Sequence, residues 1–550
     1  MEPSSQSSLS EGERPVGAAS RLEIAALVFF VALAVFHTWP LATAPGTWCR
    51  NDNADTMLNE WTVAWVAHAV VSKPLHLFDA NIFYPEKRTL AYSEPMLPQS
   101  LMVAPVLWLG GSPVLAFNLA LMAGFALTGW ALCHLVRVWT GSWAAGLVAG
   151  SLGAFNAHIF TRFGHLQAMH VEFLPFALLA LDRLLSAPRA RRALSLAWWF
   201  TLQALTSGYF LVFTAVAMIS AVMVRPREWT GPRIRPTVPL LALAVVVSTV
   251  LLLPFLLPYW HIRHEQGFAR SLDDVLMYSA TWTDYLASGA RIHEAWSGRF
   301  FRGDCLFPGL VTIACVSAAV FRRRAWRDPR VRMCAAIAVV TFCLSFGVRF
   351  PLYPFLYRVV PLLQGIRAVS RFGHYTLIAL AILAGFGVAW WLSKLPTPRW
   401  RVLAAGLLLV VANAEASHVP IWYTRFEGVP RIYGAMASQP GAVVAYFPFF
   451  ARSSGGGNAR YMLASTSNWL QMLNGYSGFA PGSFYRHANA VAGFPDAGSI
   501  RYLRQMGVTF VVVEVAAYDG EALNQIEDWR LRASNGSIRI YQLNTQASTR

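Results

Sequence analysis

The chain has 550 residues, of which 55% are hydrophobic and only 13% are charged. Soluble proteins carry about 25% charged residues, so this composition excludes a soluble multidomain chain, and it equally excludes a disordered or collagen-like one. The formal net charge is +17. Because basic residues concentrate in the cytoplasmic loops of membrane proteins, topology explains much of this charge and no nucleic-acid partner is needed. The composition therefore predicts an integral membrane protein.

Apolar stretches along the chain predict a polytopic α-helical protein. They are Glu23–Thr43, Pro113–Val136, Trp143–Phe160, Val171–Leu185, Leu194–Val224, Val238–Tyr259, Cys305–Phe321, Val331–Gly347, Phe372–Leu392 and Val402–Val419. Arginines flank Leu194–Val224 on both sides, which places both of its ends in the cytoplasm. We therefore expect two short helices that break near Thr206-Ser207-Gly208-Tyr209, and about eleven passes in all. The alternative is one long tilted helix, which would reverse every later loop.

This topology divides the chain into three parts. Residues 1–21 are expected to be a flexible cytoplasmic tail, because they are rich in Ser, Glu, Gly and Pro. Residues 22–417 are expected to form a transmembrane module, with a long first outer loop at 46–112. Residues 418–550 are expected to form an extracytoplasmic α/β domain, since strand patterns occur at 442–448, 509–515 and 538–543 and helical patterns at 499–506 and 521–529. The expected location is the inner (plasma) membrane of a bacterium.

Carboxylates in the first outer loop are the first candidates for chemistry. Asp52 and Asp55 lie within about ten residues of the first membrane helix. Helical spacing of apolar residues after Asp55 predicts an amphipathic helix on the membrane surface. Asp55 could cap that helix, whereas Asp52 precedes it. Asp79 and Glu94 follow among aromatic residues, a combination typical of sugar sites that interfacial anchoring explains equally well.

Two further outer loops carry polar residues beside the bilayer. Arg162, His165 and Gln167 follow the third stretch, and Arg367 and Arg371 precede the ninth. Outer arginines run against the positive-inside bias. Binding a phosphate would explain them, because the guanidinium group offers a bidentate fork to phosphate oxygens. The alternative for the histidine-containing loop is that its polar side chains simply meet water.

This layout resembles the GT-C superfamily of membrane glycosyltransferases. The resemblance depends on the many-pass architecture with an outer C-terminal domain, and on four segments. They are Asp52-x-x-Asp55, Asp79-Ala-Asn-Ile-Phe-Tyr-Pro85, Gly164-His-Leu-Gln167 and the stretch from Arg367 to Gly373. Many members of the superfamily carry a more closely spaced acidic pair, so the division of labour between Asp52 and Asp55 stays open.

The resemblance implies an inverting transfer of a sugar from a polyprenyl-phosphate donor to an acceptor hydroxyl on the outer face. The acceptor would be a glycan, a lipid or a protein. The family's catalytic carboxylate carries over to Asp52 first and to Asp55 second. Substrate binding would involve Asp79, Glu94, Arg162, His165, Gln167, Arg367 and Arg371. A divalent metal, Mg or Mn, could join through Asp52 and Asp55, although two carboxylates identify no metal.

Two other functions fit parts of the pattern. A transporter or flippase of a lipid-linked glycan would also use aromatic residues and arginines, but internal repeats are not evident. A non-catalytic envelope-assembly protein would need only the C-terminal domain. A transferase requires that Asp52 and Asp55 share one site with Arg367 and Arg371. Separately, Cys49 and Cys305 both lie on the outer face, where a disulfide is an option.

Overall fold

The computed structural model describes residues 16–437, 439–519, 523 and 529–543, and these are mostly helical. The helices are α1 Val16–His37, α2 Ala54–Ser72, α3 Leu97–Trp108, α4 Pro113–Thr140, α5 Trp143–Ala154, α6 Ala157–Phe160, α7 Phe173–Ser186, α8 Ala190–Thr206, α9 Gly208–Met223, α10 Ile234–Gln266, α11 Leu272–Met277, α12 Glu294–Ser297, α13 Leu310–Val320, α14 Pro329–Ser345, α15 Tyr353–Val359, α16 Phe372–Ser393, α17 Pro398–Glu415, α18 Ala459–Ser465, α19 Gly482–Ala490 and α20 Ala497–Gln505. Each apolar stretch predicted from the sequence overlaps one or two of them.

Within the described residues, four helical segments are long and apolar enough to cross a membrane: Ser20–His37, Pro113–Thr140, Gly231–Gln266 and Val369–Ser393. The other apolar helices are shorter, because the chain breaks at polar, proline or glycine positions between them. About eleven passes therefore remains a prediction.

The break predicted near residue 207 is confirmed. Helix α8 ends at Thr206 and α9 begins at Gly208. Between them Ser207 is extended, with φ −165° and ψ 137°. Its Oγ accepts a hydrogen bond of 3.1 Å from the Tyr209 amide, which satisfies one of the free donors at the start of α9. The polar Thr-Ser-Gly sequence thus ends one helix and starts the next.

The first helix starts earlier than the sequence predicted. Helix α1 begins at Val16, so residues 16–21 are helical and the predicted tail of 1–21 is wrong at its end. Alanine at positions 18 and 19 favours extension of the helix through Ser20 and Arg21. Residues 1–15 lie outside the described residues. The helix ends at His37, three residues before Pro40.

Helix α2 does not lie on a surface, contrary to the prediction for the first outer loop. Most of its side chains from Leu58 to Ala67 are buried, including Trp61 and Trp65. It packs against α3, α4 and α18. The reason is that the C-terminal domain covers the face that would otherwise meet water or lipid, so both faces of α2 are enclosed.

The C-terminal part contains a mixed five-stranded sheet in the order β4-β3-β5-β7-β6. A separate two-stranded ribbon pairs β1 Trp48–Cys49 with β2 Thr424–Arg425, and the sheet strands are β3 Val443–Phe447, β4 Gln471–Met472, β5 Val508–Glu514, β6 Trp529–Ser534 and β7 Ile538–Leu543. Strand β3 is parallel to β4 and β5, whereas β7 is antiparallel to β5 and β6. The three predicted strands correspond to β3, β5 and β7.

The predicted helices of this domain have different outcomes. The pattern at 499–506 corresponds to α20, which Asp496 caps by accepting a 2.7 Å hydrogen bond from the Ser499 amide. Of the pattern at 521–529, residues 521–522 and 524–528 lie outside the described residues. Trp529 begins β6, so the helical prediction is wrong at that residue, whose ring packs against Tyr541 of the neighbouring strand.

The first outer loop attaches directly to the edge of this sheet. The Met472 amide donates a hydrogen bond of 2.8 Å to the Asn81 carbonyl, and the Phe83 amide donates one of 3.0 Å to the Asn474 carbonyl. One hydrophobic core then combines α2 and this loop with the sheet, and it includes Trp61, Trp65, Ile82, Phe83, Tyr446 and Tyr461. Burial of this much aromatic surface holds the C-terminal domain against the membrane module.

The six cysteines of the chain all lie in described residues and all are free. Cys49 Sγ lies 3.3 Å from Thr424 Oγ1. Cys305 packs with Ala157 and Ala287 in a separate small cluster. A disulfide between Cys49 and Cys305 is therefore not formed.

The topology prediction can be tested by cysteine labelling of intact cells. A thiol reagent that cannot cross the membrane should modify Arg532→Cys in β6 and should not modify Arg323→Cys in the loop before α14. Both positions are exposed, and the native cysteines are buried or half-buried, so the unsubstituted chain is the background control. Labelling at Arg323→Cys from outside would contradict the arrangement.

Candidate active site

Asp55 lies in the first turn of α2 but does not cap the helix. Asn53 is the N-cap, because its side-chain oxygen accepts a 2.8 Å hydrogen bond from the Asp55 amide. The carboxylate of Asp55 therefore projects from the first turn, where a negative charge is favoured by the helix dipole. This leaves Asp55 available for contacts with other parts of the chain.

Three distant segments meet at Asp55. The Tyr476 hydroxyl of the C-terminal domain donates a 2.8 Å hydrogen bond to Oδ1, and His165 Nε2 lies 3.4 Å from Oδ2. Asn59 fixes the arrangement, because its Nδ2 donates to the carbonyls of Asp55 at 2.6 Å and Gly164 at 2.7 Å. A carboxylate, a histidine and a phenol are thus brought together from positions more than 100 residues apart.

Gly164 allows this close approach. A Cβ at this position would lie 3.1 Å from Thr56 Oγ1 and 3.3 Å from Asn53 Nδ2. Both contacts are tighter than side chains normally make, so a larger residue would push Thr56 or Asn53 aside by a few tenths of an ångström.

Asp52 lies outside this meeting point. Its side chain is exposed and pairs with Arg50, whose Nε lies 3.2 Å from Oδ1. An exposed ion pair of this kind contributes little to stability. The structure thus brings Asp55 to the candidate site and leaves Asp52 in the preceding turn.

A second carboxyl group of α2 is neutral at physiological pH. Glu60 is fully buried, and burial raises its pKa to about 8, an effect that Asn51 only partly offsets.

Three arginines act on His165 and a fourth lies near Arg367, and we call the four the arginine cluster: Arg162, Arg270, Arg367 and Arg371. The charges of Arg371, Arg162 and Arg367 act on His165, and Arg367 also acts on Arg270. Arg270 comes from the loop after α10, a segment that the sequence had not singled out. The loops after α6, after α10 and before α16 together supply the cluster.

The cluster keeps unused hydrogen-bond donors, although the charges of Asp304, Glu94 and Asp274 act on its arginines. Among the described residues, Arg162 forms an ion pair with Asp304, at 2.7 Å, whereas Arg270, Arg367 and Arg371 form none. The buried Nε groups of Arg162, Arg270 and Arg371 donate no hydrogen bond. A buried donor without a partner costs about 1–3 kcal/mol, so the cluster has unused capacity to bind an anion.

Aromatic rings hold the free guanidinium groups in place. Arg371 lies over the Tyr209 ring, with its Cζ 4.9 Å from the ring centroid, and Arg367 lies over the Tyr278 ring at 5.1 Å. Cation–π contacts of this kind position a guanidinium group without using its hydrogen-bond donors. The donors stay available for a ligand.

Arg162 is held by a buried network around Asp304. Asp304 accepts hydrogen bonds from Arg162 Nη2 at 2.7 Å and from Ser370 Oγ at 2.9 Å, and its Oδ1 lies 2.7 Å from His158 Nδ1. Burial acts to raise the pKa of Asp304, but the neighbouring charges of His158 and Arg162 outweigh it and hold the pKa well below its usual range. The network links the loop after α6 to the loop before α16.

His165 is neutral in this environment. Burial lowers its pKa well below the ordinary value, and the charges of Arg371, Arg162 and Arg367 lower it further. A neutral imidazole can accept or relay a proton beside Asp55, which a charged one could not do.

Binding of a phosphate should reverse part of this shift. An anion among the arginines favours the charged imidazole, so the pKa of His165 should rise when polyprenyl phosphate is added. Histidine-selective NMR titrations with and without the lipid, with His165→Gln used for assignment, measure the change. A titration curve of His165 that the lipid leaves unchanged would argue against phosphate binding in the cluster.

Glu94 and Gln167 join the first loop to the broken helix. Gln167 Nε2 donates a 2.6 Å hydrogen bond to Glu94 Oε2, and Ser207 Oγ donates to Oε1. The Tyr209 amide lies 3.4 Å from the same oxygen. Glu94 therefore lies at the start of α9, where it positions Tyr209 under Arg371.

Asp79 serves the first loop instead of the cluster. Its Oδ1 accepts a 2.9 Å hydrogen bond from the Arg88 amide, and its Oδ2 lies 3.0 Å from His76 Nδ1. These contacts shape the segment that docks onto β4. The contacts described for Asp79 do not bring it to the arginine cluster, so its role in substrate binding stays a prediction.

Tyr476 and Arg270 are the residues that sequence reasoning missed. Arg270 is an outer arginine, so the positive-inside argument applied to Arg367 and Arg371 would also have found it. Its Nη2 donates a 2.5 Å hydrogen bond to the Gly478 carbonyl, which ties the cluster to the segment of Tyr476. Only the tertiary structure reveals that contact.

The residues present do not fit a divalent metal held by Asp52 and Asp55. Asp52 pairs with Arg50, while both oxygens of Asp55 face Tyr476 and His165. In the part of the chain that the structure describes, no group of three or more His, Cys, Asp or Glu residues converges. The chemistry of this site is therefore argued from its side chains alone.

Comparison with solved structures gives similar folds at low identity. The oligosaccharyltransferase of Archaeoglobus fulgidus in its apo form has a TM-score of 0.47 and 12% identity, over 89% of this chain and 69% of that one. ArnT from Cupriavidus metallidurans in its apo state has a TM-score of 0.46 and 12% identity, over 96% and 98%. ArnT bound to undecaprenyl phosphate has a TM-score of 0.46, 13% identity and the same coverage.

No family model and no curated protein matches the chain. Because the TM-scores lie below 0.5, these similarities carry no argument about function, and the geometry of the site has to supply it.

Proposed function

We propose that this protein is an inverting glycosyltransferase that moves a sugar from a polyprenyl-phosphate donor to an acceptor hydroxyl on the outer face of the membrane. The observation that carries the proposal is the arginine cluster beside Asp55. Three of its arginines form no ion pair with a described residue, and three buried Nε donors have no acceptor among the described residues, so the cluster has donors with which to bind an anion. A lipid phosphate supplies the oxygens that they need.

The chemistry needs one base and one phosphate site. Asp55 accepts the proton of the acceptor hydroxyl, and that oxygen forms a bond to the anomeric carbon. The bond between the anomeric carbon and the phosphate oxygen breaks, and the electron pair leaves with the phosphate. Attack opposite to the leaving phosphate inverts the anomeric configuration. The arginine cluster stabilises the charge that develops on the leaving group.

Asp55 is preferred to Asp52 as the base because of its contacts. Tyr476 holds Oδ1, so Oδ2 keeps a fixed direction toward His165 and the arginines. Asp52 pairs with Arg50 instead, and no described contact brings it to His165 or Tyr476.

A transporter would use the arginines but would not need Asp55. Transport of a lipid-linked glycan requires a phosphate site and a path, whereas transfer also requires a base for the acceptor hydroxyl. The carboxylate of Asp55, held by Tyr476 beside His165, would supply that base and favours transfer. If these loops face outward, as the sequence predicts, the donor must reach the site already across the membrane, and a polyprenyl phosphate does so while its tail stays in the bilayer.

Mass spectrometry of a strain that lacks the gene tests the function. Loss of the gene should deplete one surface glycan and accumulate one sugar-linked polyprenyl phosphate, and the wild-type gene should restore both. The Asp55→Asn gene, expressed at the same level, should restore neither. Unchanged lipid-linked sugars and unchanged surface glycans in the deletion strain would contradict the proposal.

A further inference from the structure

A separate cavity of about 620 Å³ lies between the loop after α11 and the end of α14. Two exposed arginines, Arg302 and Arg349, line it. Neither forms an ion pair with any residue that the structure describes. The cavity is therefore open to a negatively charged ligand, and none of its lining residues belongs to the arginine cluster.

Both guanidinium groups keep donors for a ligand. Arg349 donates through Nη1 to the Ser279 carbonyl at 2.7 Å and to the Leu276 carbonyl at 3.3 Å. Arg302 donates through Nη1 to the Phe301 carbonyl at 3.0 Å. These backbone contacts orient each side chain and leave Nε and Nη2 to bind phosphate oxygens.

A buried acceptor in the same cavity defines the second feature of the ligand. Asp284 is 3% exposed, and its Oδ2 accepts hydrogen bonds from the Thr281 amide at 2.7 Å and hydroxyl at 2.8 Å. Its Oδ1 has no hydrogen-bond partner among the residues that the structure describes. An unpartnered buried carboxylate oxygen calls for a donor, so the ligand should carry a hydroxyl or amino group beside its phosphate.

Apolar side chains on the cavity lining give the third feature. Trp282 is 67% exposed and Met277 is 75% exposed, although both are large and apolar. Trp at such a position is typical of the boundary between lipid and water. A soluble phosphate would leave these side chains in water, whereas a lipid would cover them.

We propose that this cavity binds the headgroup of a membrane phospholipid that carries a hydroxyl or amino group, with its phosphate on Arg302 and Arg349. The site adjoins the arginine cluster but is distinct from it. Tyr278 separates the two, because its ring lies under Arg367 and its carbonyl accepts a 3.1 Å hydrogen bond from the Ser370 amide. The inference holds whether or not the protein is a transferase.

Native mass spectrometry of the delipidated full-length protein tests this site. Phosphatidylglycerol has both features, phosphatidylcholine lacks the donor group, and diacylglycerol lacks the phosphate. Phosphatidylglycerol should bind most tightly, and Arg302→Gln and Arg349→Gln should each weaken it about tenfold. Arg358→Gln is the matched control, since Arg358 is an exposed arginine of α15 away from the cavity.

Thermal unfolding of each variant verifies that the fold is kept. The comparison of the three lipids uses the unsubstituted protein, so it tests the proposal even if a variant fails to fold. Equal binding of the three lipids would overturn the proposal, as would cavity variants that bind like Arg358→Gln. Displacement of phosphatidylglycerol by an equal concentration of glycerol 3-phosphate would show a site for soluble phosphates and would also overturn it.

Discussion

Asp55→Asn should lower the rate of sugar transfer by at least 10²-fold, about what a general base contributes. The substitution keeps the size of the side chain, and the amide oxygen can still accept the hydrogen bond from Tyr476. What it removes is the negative oxygen that takes the proton of the acceptor hydroxyl. Binding of the donor should change little, because the arginines bind the phosphate. Initial rates and donor affinity, measured on the purified protein, separate the two effects.

The matched control is Asp52→Asn. Asp52 lies three residues earlier but is exposed and pairs with Arg50, so this variant should keep most of the activity. If Asp52→Asn loses activity while Asp55→Asn keeps it, and both proteins unfold at the wild-type temperature, then the base has been assigned to the wrong carboxylate.

Arg371→Gln should weaken binding of the polyprenyl-phosphate donor by roughly 10- to 100-fold, since a charge-assisted hydrogen bond contributes about 1.5–3 kcal/mol. Arg371 forms no ion pair within the described part of the chain, and its buried Nε has no acceptor. The loss should therefore appear in donor binding and not in stability. Titration of the purified protein with polyprenyl phosphate measures it.

Two variants sharpen this test. Arg371→Lys keeps the charge but loses the planar fork, so it should recover part of the affinity. Arg358→Gln removes an exposed outer arginine that lies outside the cluster, so it should bind the donor normally. An Arg371→Gln protein that binds the donor with wild-type affinity would remove this arginine from the phosphate site.

The sequence was most informative where local signals are strong. Polar and glycine residues at 206–208 predicted the break between α8 and α9, because such residues end and cap helices whatever surrounds them. Alternating and β-branched patterns predicted β3, β5 and β7. The positive-inside rule singled out Arg367 and Arg371 through their unusual placement.

Long-range contacts could not be predicted from the sequence. Asn53 caps α2, and Asp55 does not. Which of two nearby polar residues becomes the N-cap depends on the backbone geometry. Helix α2 is amphipathic enough to suggest a membrane surface, but the C-terminal domain encloses it. Tyr476 reaches Asp55 across 421 positions of the chain, and no local pattern can indicate such a contact.

The central claim is that the arginines bind a lipid phosphate and that Asp55 then activates the acceptor. The most direct measurement offers purified protein a polyprenyl-phosphate-linked sugar and the matching nucleotide sugar side by side, with an acceptor extract from the same membrane. We expect transfer from the polyprenyl-phosphate donor alone, with release of polyprenyl phosphate and with the rate lost in Asp55→Asn. Transfer from the nucleotide sugar alone would contradict both the donor assignment and the role given to the arginine cluster.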